Sequence, residues 1–239
     1  MHFDACPVAI RMSVMLSMLA DGEAHKASSP AVVRNALQRV RSEDHALLPP
    51  RTTVFLEGFS RSPQYRVVDG CVATSQTLSD GRRQIIDLVG PGRLVGLGLG
   101  DRNRYSAETL GLTRLEPIAE PLSHGDLETA LNEMLARSQA LTMLLGRKTA
   151  PERVASALLD LAGQFGRPAR QQKRGAVTFH LFPTRTDLAD WLGLTVETVS
   201  RCFTRLKKAG LIDFQHSDRV TLLEPLHLAR VASGDRPLS

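Results

Sequence analysis

The chain has 239 residues, 42% of them apolar and 23% charged, the balance of a water-soluble protein with room for two modest domains. Its cysteines, Cys6, Cys71 and Cys202, stand far apart with no CxxC pair. That pattern excludes a disulfide framework and a four-thiolate metal site within one chain, and it suits a reducing cytoplasm. No run approaches the ~20 apolar residues of a membrane helix, so no membrane partner is expected. Arg11 interrupts the apolar stretch 8–19 and no basic region precedes it, so a secretory signal is not expected either. The net charge of +5 is uneven: from Arg147 onward 15 Lys and Arg face 9 Asp and Glu, a surplus of +6, against −1 before it. An acidic partner for the C-terminal third follows, with nucleic acid the first candidate.

Residues 1–46 read as an N-terminal extension, partly helical, with helices predicted at 12–19 and 31–41. The texture changes over 47–122. Runs at 53–56, 65–68, 71–78, 84–89 and 113–118 are set off by Glu57-Gly58, Asp69-Gly70, Asp80-Gly81 and Gly90-Pro91-Gly92. Short strands at this spacing, with Asp-Gly hairpin signals, predict a small antiparallel barrel or roll.

Over 123–148 a helix is predicted. Leu127, Leu131, Met134, Ser138, Leu141 and Leu145 follow one another at intervals of four and three, the a/d pattern of a coiled coil. Such a helix either packs on its own domain or forms a dimer seam; three sustained heptads favour the seam, through Leu127, Leu131, Met134, Leu141 and Leu145. Pro151 suits the first turn of another helix, carrying Val154, Leu158, Leu159 and Leu161 and ended by Gly163, Gly166 and Pro168. A basic loop, 167–174, follows.

The sharpest signal lies in 184–206. Thr184 or Thr186 can cap a short helix with Leu188, Ala189, Trp191 and Leu192 on its apolar face. Gly193 supplies a left-handed stop, and Thr195 caps a second helix. There Val199, Cys202, Phe203 and Leu206 fall at i, i+3, i+4 and i+7, the buried side. The opposite face presents Val196, Glu197, Ser200, Arg201 and Arg205. Two short helices joined through one glycine predict a helix-turn-helix, and 211–214 with 219–223 a following wing. Arg can fork to guanine O6 and N7, Glu can accept from cytosine N4, and Thr or Ser can bind phosphate. Glu197 and Arg201, four apart, share a face; the plain alternative is a surface ion pair of a few tenths of a kcal/mol. The helix-turn-helix setting favours base contact.

The motifs Glu197-Thr-Val-Ser-Arg201, Asp80-Gly-Arg-Arg-Gln-Ile-Ile86, Gly90-Pro-Gly92 and Gly146-Arg-Lys-Thr-Ala-Pro-Glu-Arg-Val-Ala155, in this order, resemble the CRP/FNR superfamily of bacterial transcription factors, its FNR/FixK branch above all. The resemblance covers residues 47–223. It implies an α+β architecture: an N-terminal cyclic-nucleotide-binding-type β-roll (47–122), a long dimerisation helix (123–148) and a C-terminal winged helix-turn-helix (149–239). It further implies a homodimer on a double-stranded DNA palindrome, activating oxygen-limitation genes through RNA polymerase. Base contacts would fall to Glu197, Ser200 and Arg201, with a TTGA-type half-site, and phosphate contacts to Thr184, Thr186, Thr195 and Thr198.

Within such a family the sensor half is informative for what it lacks. A cyclic-nucleotide pocket requires a glutamate where Leu97 stands and an arginine where Tyr105 precedes Ser106-Ala107; Arg104 lies one position away. Four clustered thiolates for an iron–sulfur cluster are absent, and His124 is a lone candidate for haem. No cofactor or metal is therefore expected. The alternative is a sensor whose β-roll takes a nucleotide or other effector that gates DNA binding. Cys202, beside Arg201, is either a small apolar side chain or a redox-sensitive thiol whose oxidation would oppose binding. No HExxH, phosphate-loop, GxSxG or dinucleotide motif supports an enzyme.

Overall fold

The structure is a computed structural model and describes residues 46–98, 100–119, 121–168, 175–216 and 218–235. The helices predicted at 12–19 and 31–41 and most of the basic loop lie outside the described residues.

Eight short strands make the N-terminal body. They are β1 (Ala46–Leu48), β2 (Thr53–Phe55), β3 (Tyr65–Asp69), β4 (Val72–Thr77), β5 (Arg83–Val89), β6 (Leu94–Val95), β7 (Ser106–Thr109) and β8 (Thr113–Pro117). They form two antiparallel sheets, ordered β1-β8-β3-β6 and β2-β7-β4-β5. Between the sheets lies an aliphatic core that includes Val54, Val67, Val72, Val89, Val95 and Leu115. Asp80-Gly81 closes the β4–β5 hairpin as expected, with Gly81 in the left-handed region. Asp69-Gly70 does not close one: β3 and β4 belong to different sheets, and the pair carries the chain between them. Gly70 has φ +87°, and a Cβ there would meet the Leu112 carbonyl oxygen at 2.5 Å, so only glycine fits this crossing.

Strand β5 is buried on both faces, and that positions everything downstream. Val72 pairs with Val89 and Ala73 with Leu88 across the β4–β5 ladder. Val72 and Val89 face into the roll. Ala73, Leu88 and Ile85 join a second core with residues of the helical half, among them Leu158, Leu161 and Trp191. Alternating side chains point to opposite faces, so one strand serves two cores.

The long helix α1 (His124–Arg147) opens at Ser123, whose hydroxyl accepts from the Asp126 amide at 3.2 Å. Leu144 is its one fully buried residue. Next come α2 (Ala150–Phe165), β9 (Arg167–Pro168), β10 (Val177–His180), α3 (Arg185–Leu192), α4 (Val196–Lys208), β11 (Ile212–His216), β12 (Arg219–Leu222) and α5 (Pro225–Ser233). The Glu152 carboxylate accepts from the Thr149 amide at 3.0 Å and helps start α2 behind Pro151. Contrary to expectation, Gly163 lies inside α2. The helix stops at Gly166, whose amide still reaches the Ala162 carbonyl at 2.8 Å. A glycine in a helix costs only about 1 kcal/mol, less than the burial of Val154, Leu158 and Leu161 on the other face returns. The small sheet is ordered β11-β12-β10-β9, so β10, not foreseen from sequence, pairs with the wing.

Candidate nucleic-acid interface

Local chemistry builds the turn. The Thr184 hydroxyl accepts from the Asp187 amide at 3.1 Å, and the Asp187 carboxylate accepts from the Thr184 amide at 2.9 Å, a reciprocal cap that starts α3. Gly193 ends it at φ 60°, ψ 45°. The Thr195 hydroxyl then accepts from the Thr198 amide at 3.2 Å and starts α4. The inner faces meet through Leu188, Trp191, Val199, Cys202, Phe203 and Leu206, all buried.

The outer face of α4 stays open. Arg201 and Glu197 lie 3.7 Å apart, their side chains 74% and 86% exposed. A pair that exposed is worth at most about 1 kcal/mol, so either partner turns to a new ligand at little cost. Val196 is exposed beside them, and Ser200 is half-buried with its hydroxyl donating to the Val196 carbonyl at 2.9 Å.

The four threonines named from sequence separate into two groups. Thr186 and Thr195 are exposed, and Thr198 is half-buried with its hydroxyl 2.9 Å from that of Thr195. Thr184 is exposed as well, but it donates its hydroxyl to the Asp187 carboxylate at 2.6 Å. That proton is already engaged.

Arg185 was not singled out in the sequence, although it lies between two threonines that were. Its guanidinium sits 3.6 Å from the Phe203 ring centroid and 5.5 Å from that of Phe214. The two rings stack at 5.7 Å, so one cation–aromatic cluster ties α3, α4 and wing strand β11 together. Burial holds the Arg185 pKa below its ordinary value.

Cys202 lies on the inner face, 4% exposed. Burial raises its pKa against the pull of Arg205 and Arg201, which keeps the thiol protonated and a weak nucleophile.

Along α1 the seam positions also divide. Leu131 and Met134 are exposed and Leu127 is half-buried. Leu141 and Leu145 pack against the chain's own second core.

In the roll, Tyr105 packs against the loop that carries Leu97. Its hydroxyl accepts from the Gly96 amide at 3.0 Å and donates to the Leu97 carbonyl at 3.4 Å. Its ring packs against Phe55 at 5.5 Å between centroids. A cavity of about 10 Å³ beside it has room for one water. Among the described residues no cluster of three or more His, Cys, Asp or Glu could hold a metal, and no helix is long and apolar enough to cross a membrane.

A capped helix-turn-helix with a two-stranded wing, joined to an antiparallel roll, defines a winged-helix DNA-binding regulator. Residues 152–231 match the Crp-like helix-turn-helix domain. The chain is 40% identical over 179 residues to the nitrogen fixation regulation protein FixK of Azorhizobium caulinodans, covering 71% of each chain. It is 32% identical over 204 residues to the transcriptional activatory protein AadR of Rhodopseudomonas palustris, covering 81% of this chain and 83% of that one. The solved structure of FixK2 from Bradyrhizobium japonicum superposes with a TM-score of 0.70 at 28% identity, covering 78% of this chain and 96% of that one. The chain belongs to the CRP/FNR family and is a FixK-like transcriptional regulator, not an enzyme.

Proposed function

We propose that the protein acts in the cytoplasm as a homodimer. Each subunit lays α4 into the major groove of one half of a TTGA-type palindrome and activates oxygen-limitation genes through RNA polymerase. Arg201 forks to guanine, Glu197 accepts from cytosine N4, and Ser200 sits between them at the base edges. Phosphates are bound by Thr186, Thr195 and Thr198, while Thr184, the fourth candidate, starts α3 through its cap with Asp187. Leu127, Leu131, Met134, Leu141 and Leu145 line the seam between subunits.

The observation that carries this reading is the weakly held Glu197–Arg201 pair, exposed on the first turns of a capped helix whose other face is fully packed. The names of the relatives, a nitrogen-fixation regulator and a transcriptional activator, support the physiological part. The apolar Leu97 and the packed, hydrogen-bonded Tyr105 support an effector-free roll.

Fluorescence anisotropy of the reduced, effector-free protein tests the reading, on TTGA–N6–TCAA and on a scrambled duplex at ~150 mM salt. Strong preference for the palindrome is expected. Equal, weak binding to both would overturn either the half-site or the effector-free active state.

A further inference from the structure

Asp187 belongs to the reciprocal cap of α3, yet most of its charge is answered from far away in the chain. Its side chain is 1% exposed. Arg51 donates to it twice, Nη1 to Oδ1 at 3.0 Å and Nη2 to Oδ2 at 2.6 Å. Arg83 donates Nη2 to Oδ1 at 2.6 Å. Both arginines belong to the roll. A helix cap needs one carboxylate and no cation, so local structure does not explain them.

Two further features show that the contact is built. Arg51 has φ 62°, the only non-glycine residue with positive φ among those described. Such a backbone persists only where its surroundings hold it. Here the Arg51 amide donates to the Thr109 carbonyl at 2.7 Å while the side chain forks onto Asp187. Arg83 also donates to Asp190, one turn further along α3, at 2.9 Å, and the Gln84 side chain donates to the Trp191 carbonyl at 3.1 Å. Glu108 stands 3.3 Å from Arg83 and 3.5 Å from Arg51, balancing the second cation.

Strand β5 carries the other half of the linkage. Four residues beyond Arg83, Asp87 accepts from Arg137 of α1 at 2.8 Å. The long helix and the helix-turn-helix are thus tied to one strand, about 13 Å apart along it. The α3 helix is joined to α4 by a single turn and a common buried face. Wherever α3 is held against the roll, the recognition helix follows.

We propose that Arg51, Arg83 and Asp187 form a positioning clasp that sets the placement of each recognition helix relative to α1, and through it the half-site spacing that the dimer accepts. This rests on the dimeric, palindrome-reading function proposed above. In such a dimer the two recognition helices must meet grooves one helical turn apart, about 34–36 Å. Tilting α3 on the roll would change that separation and leave the base contacts of Arg201 and Glu197 intact. None of the three clasp residues touches the base-reading face, so their effect on DNA is one of placement.

The test uses the full-length chain, as the Arg51→Gln variant and the Arg51→Gln/Arg83→Gln double variant. Each is titrated with TTGA–N5–TCAA, TTGA–N6–TCAA and TTGA–N7–TCAA, and with an N6 duplex carrying a base change in one half-site. Circular dichroism checks that each variant is folded, and the single variant remains informative if the double one is not. The wild type should bind N6 best. The variants should lose about tenfold in the preference for N6 over N5 and N7, a usual size for coupling between linked sites, while keeping wild-type discrimination against the base change. An unchanged spacing profile in a folded variant overturns the clasp. So does a loss of base discrimination equal to the loss of spacing preference. If the wild type itself fails to prefer any palindrome over a scrambled duplex, it is the DNA reading that fails. The clasp is then judged by hydrogen exchange in the free protein. Faster exchange at Arg83–Val89 and Arg185–Leu192 in the variants, with 199–206 unchanged, supports it as an interdomain tie; unchanged exchange overturns it.

Discussion

Arg137 of α1 and Asp160 of α2 face each other across the joint between the two helices, Nη1 to Oδ1 at 2.7 Å and Nη2 to Oδ2 at 3.1 Å. The same guanidinium donates Nε to Asp87 of β5 at 2.8 Å, so one side chain joins the long helix to both bodies. Burial alone would lower its pKa, but the hydrogen bonds it donates to Asp160 and Asp87 outweigh burial and hold it well above its ordinary value. Asp87 also pairs with Arg93 at 3.2 Å, and Asp160 also accepts from Gln164 at 2.9 Å, so neither carboxylate depends on Arg137 alone. Arg137→Ala should therefore cost about 2 kcal/mol in urea unfolding, in the range of a hydrogen bond to a charged group. A change below about 0.5 kcal/mol would show that the joint is held by packing alone.

The base-reading role proposed for Arg201 is separable from folding, because among the described residues its side chain makes only the loose pair with Glu197. Arg201→Ala should weaken binding to the palindrome by ~1–3 kcal/mol and relax preference at the guanine. Dimer mass and melting temperature should stay as in the wild type. Equal loss on specific and scrambled DNA would reassign Arg201 to phosphate.

The seam is best tested at Leu131. Leu141 and Leu145 are half-buried against the chain's own core, so changing either confounds assembly with stability. Leu131 is 41% exposed and packs on neither core. Leu131→Glu places a charge in the proposed seam, and sedimentation equilibrium should find monomers with unchanged helicity. A retained dimer mass would move the interface elsewhere.

Asp187 also predicts a pH dependence. Burial would raise its pKa, but the hydrogen bonds from Arg51, the Thr184 hydroxyl and amide, and Arg83 hold it far below the ordinary carboxylate range. A folded-state pKa below the unfolded one, about 3.9, adds stability that is full above that value and is lost as pH falls toward the depressed one. Asp187→Asn should accordingly be less stable than the wild type near neutral pH, and the gap should narrow as pH falls below about 4. Thermal unfolding from about pH 7 down to about pH 3 reads it; a constant gap across that range would contradict the assignment.

Cys202 packs, and its thiol is held protonated. Cys202→Ala should bind the palindrome as the wild type does under both reducing and mildly oxidising conditions. Loss of binding on oxidation in the wild type alone would establish a redox role.

The helix-turn-helix was legible from residues 184–206 because its signals are local. A threonine hydroxyl reaches an amide three residues on, a glycine takes a left-handed backbone, and apolar side chains recur with the helical period. Each acts within one or two turns of chain. The roll was legible as a class, but strands β1, β6, β7, β9 and β10 were not. They have two to four residues each, too few to show an alternation, and β1, β6 and β7 find their partners far away in sequence. Asp69-Gly70 carried a hairpin signal that the structure uses for a sheet-to-sheet crossing, because the turn geometry is local while the choice of partner strand is not.

The sequence alone therefore determined the capped recognition helix, its exposed Glu197–Arg201 face and the heptad pattern of α1, all of which depend on neighbours within a few residues. Tertiary structure decided how these parts are held together. Arg51 and Asp187 are 136 residues apart, and β5 is buried on both faces only because the helical half packs against it. Burial of a charge and the burial of a second strand face depend on what the rest of the chain brings to that point, and no local pattern encodes it.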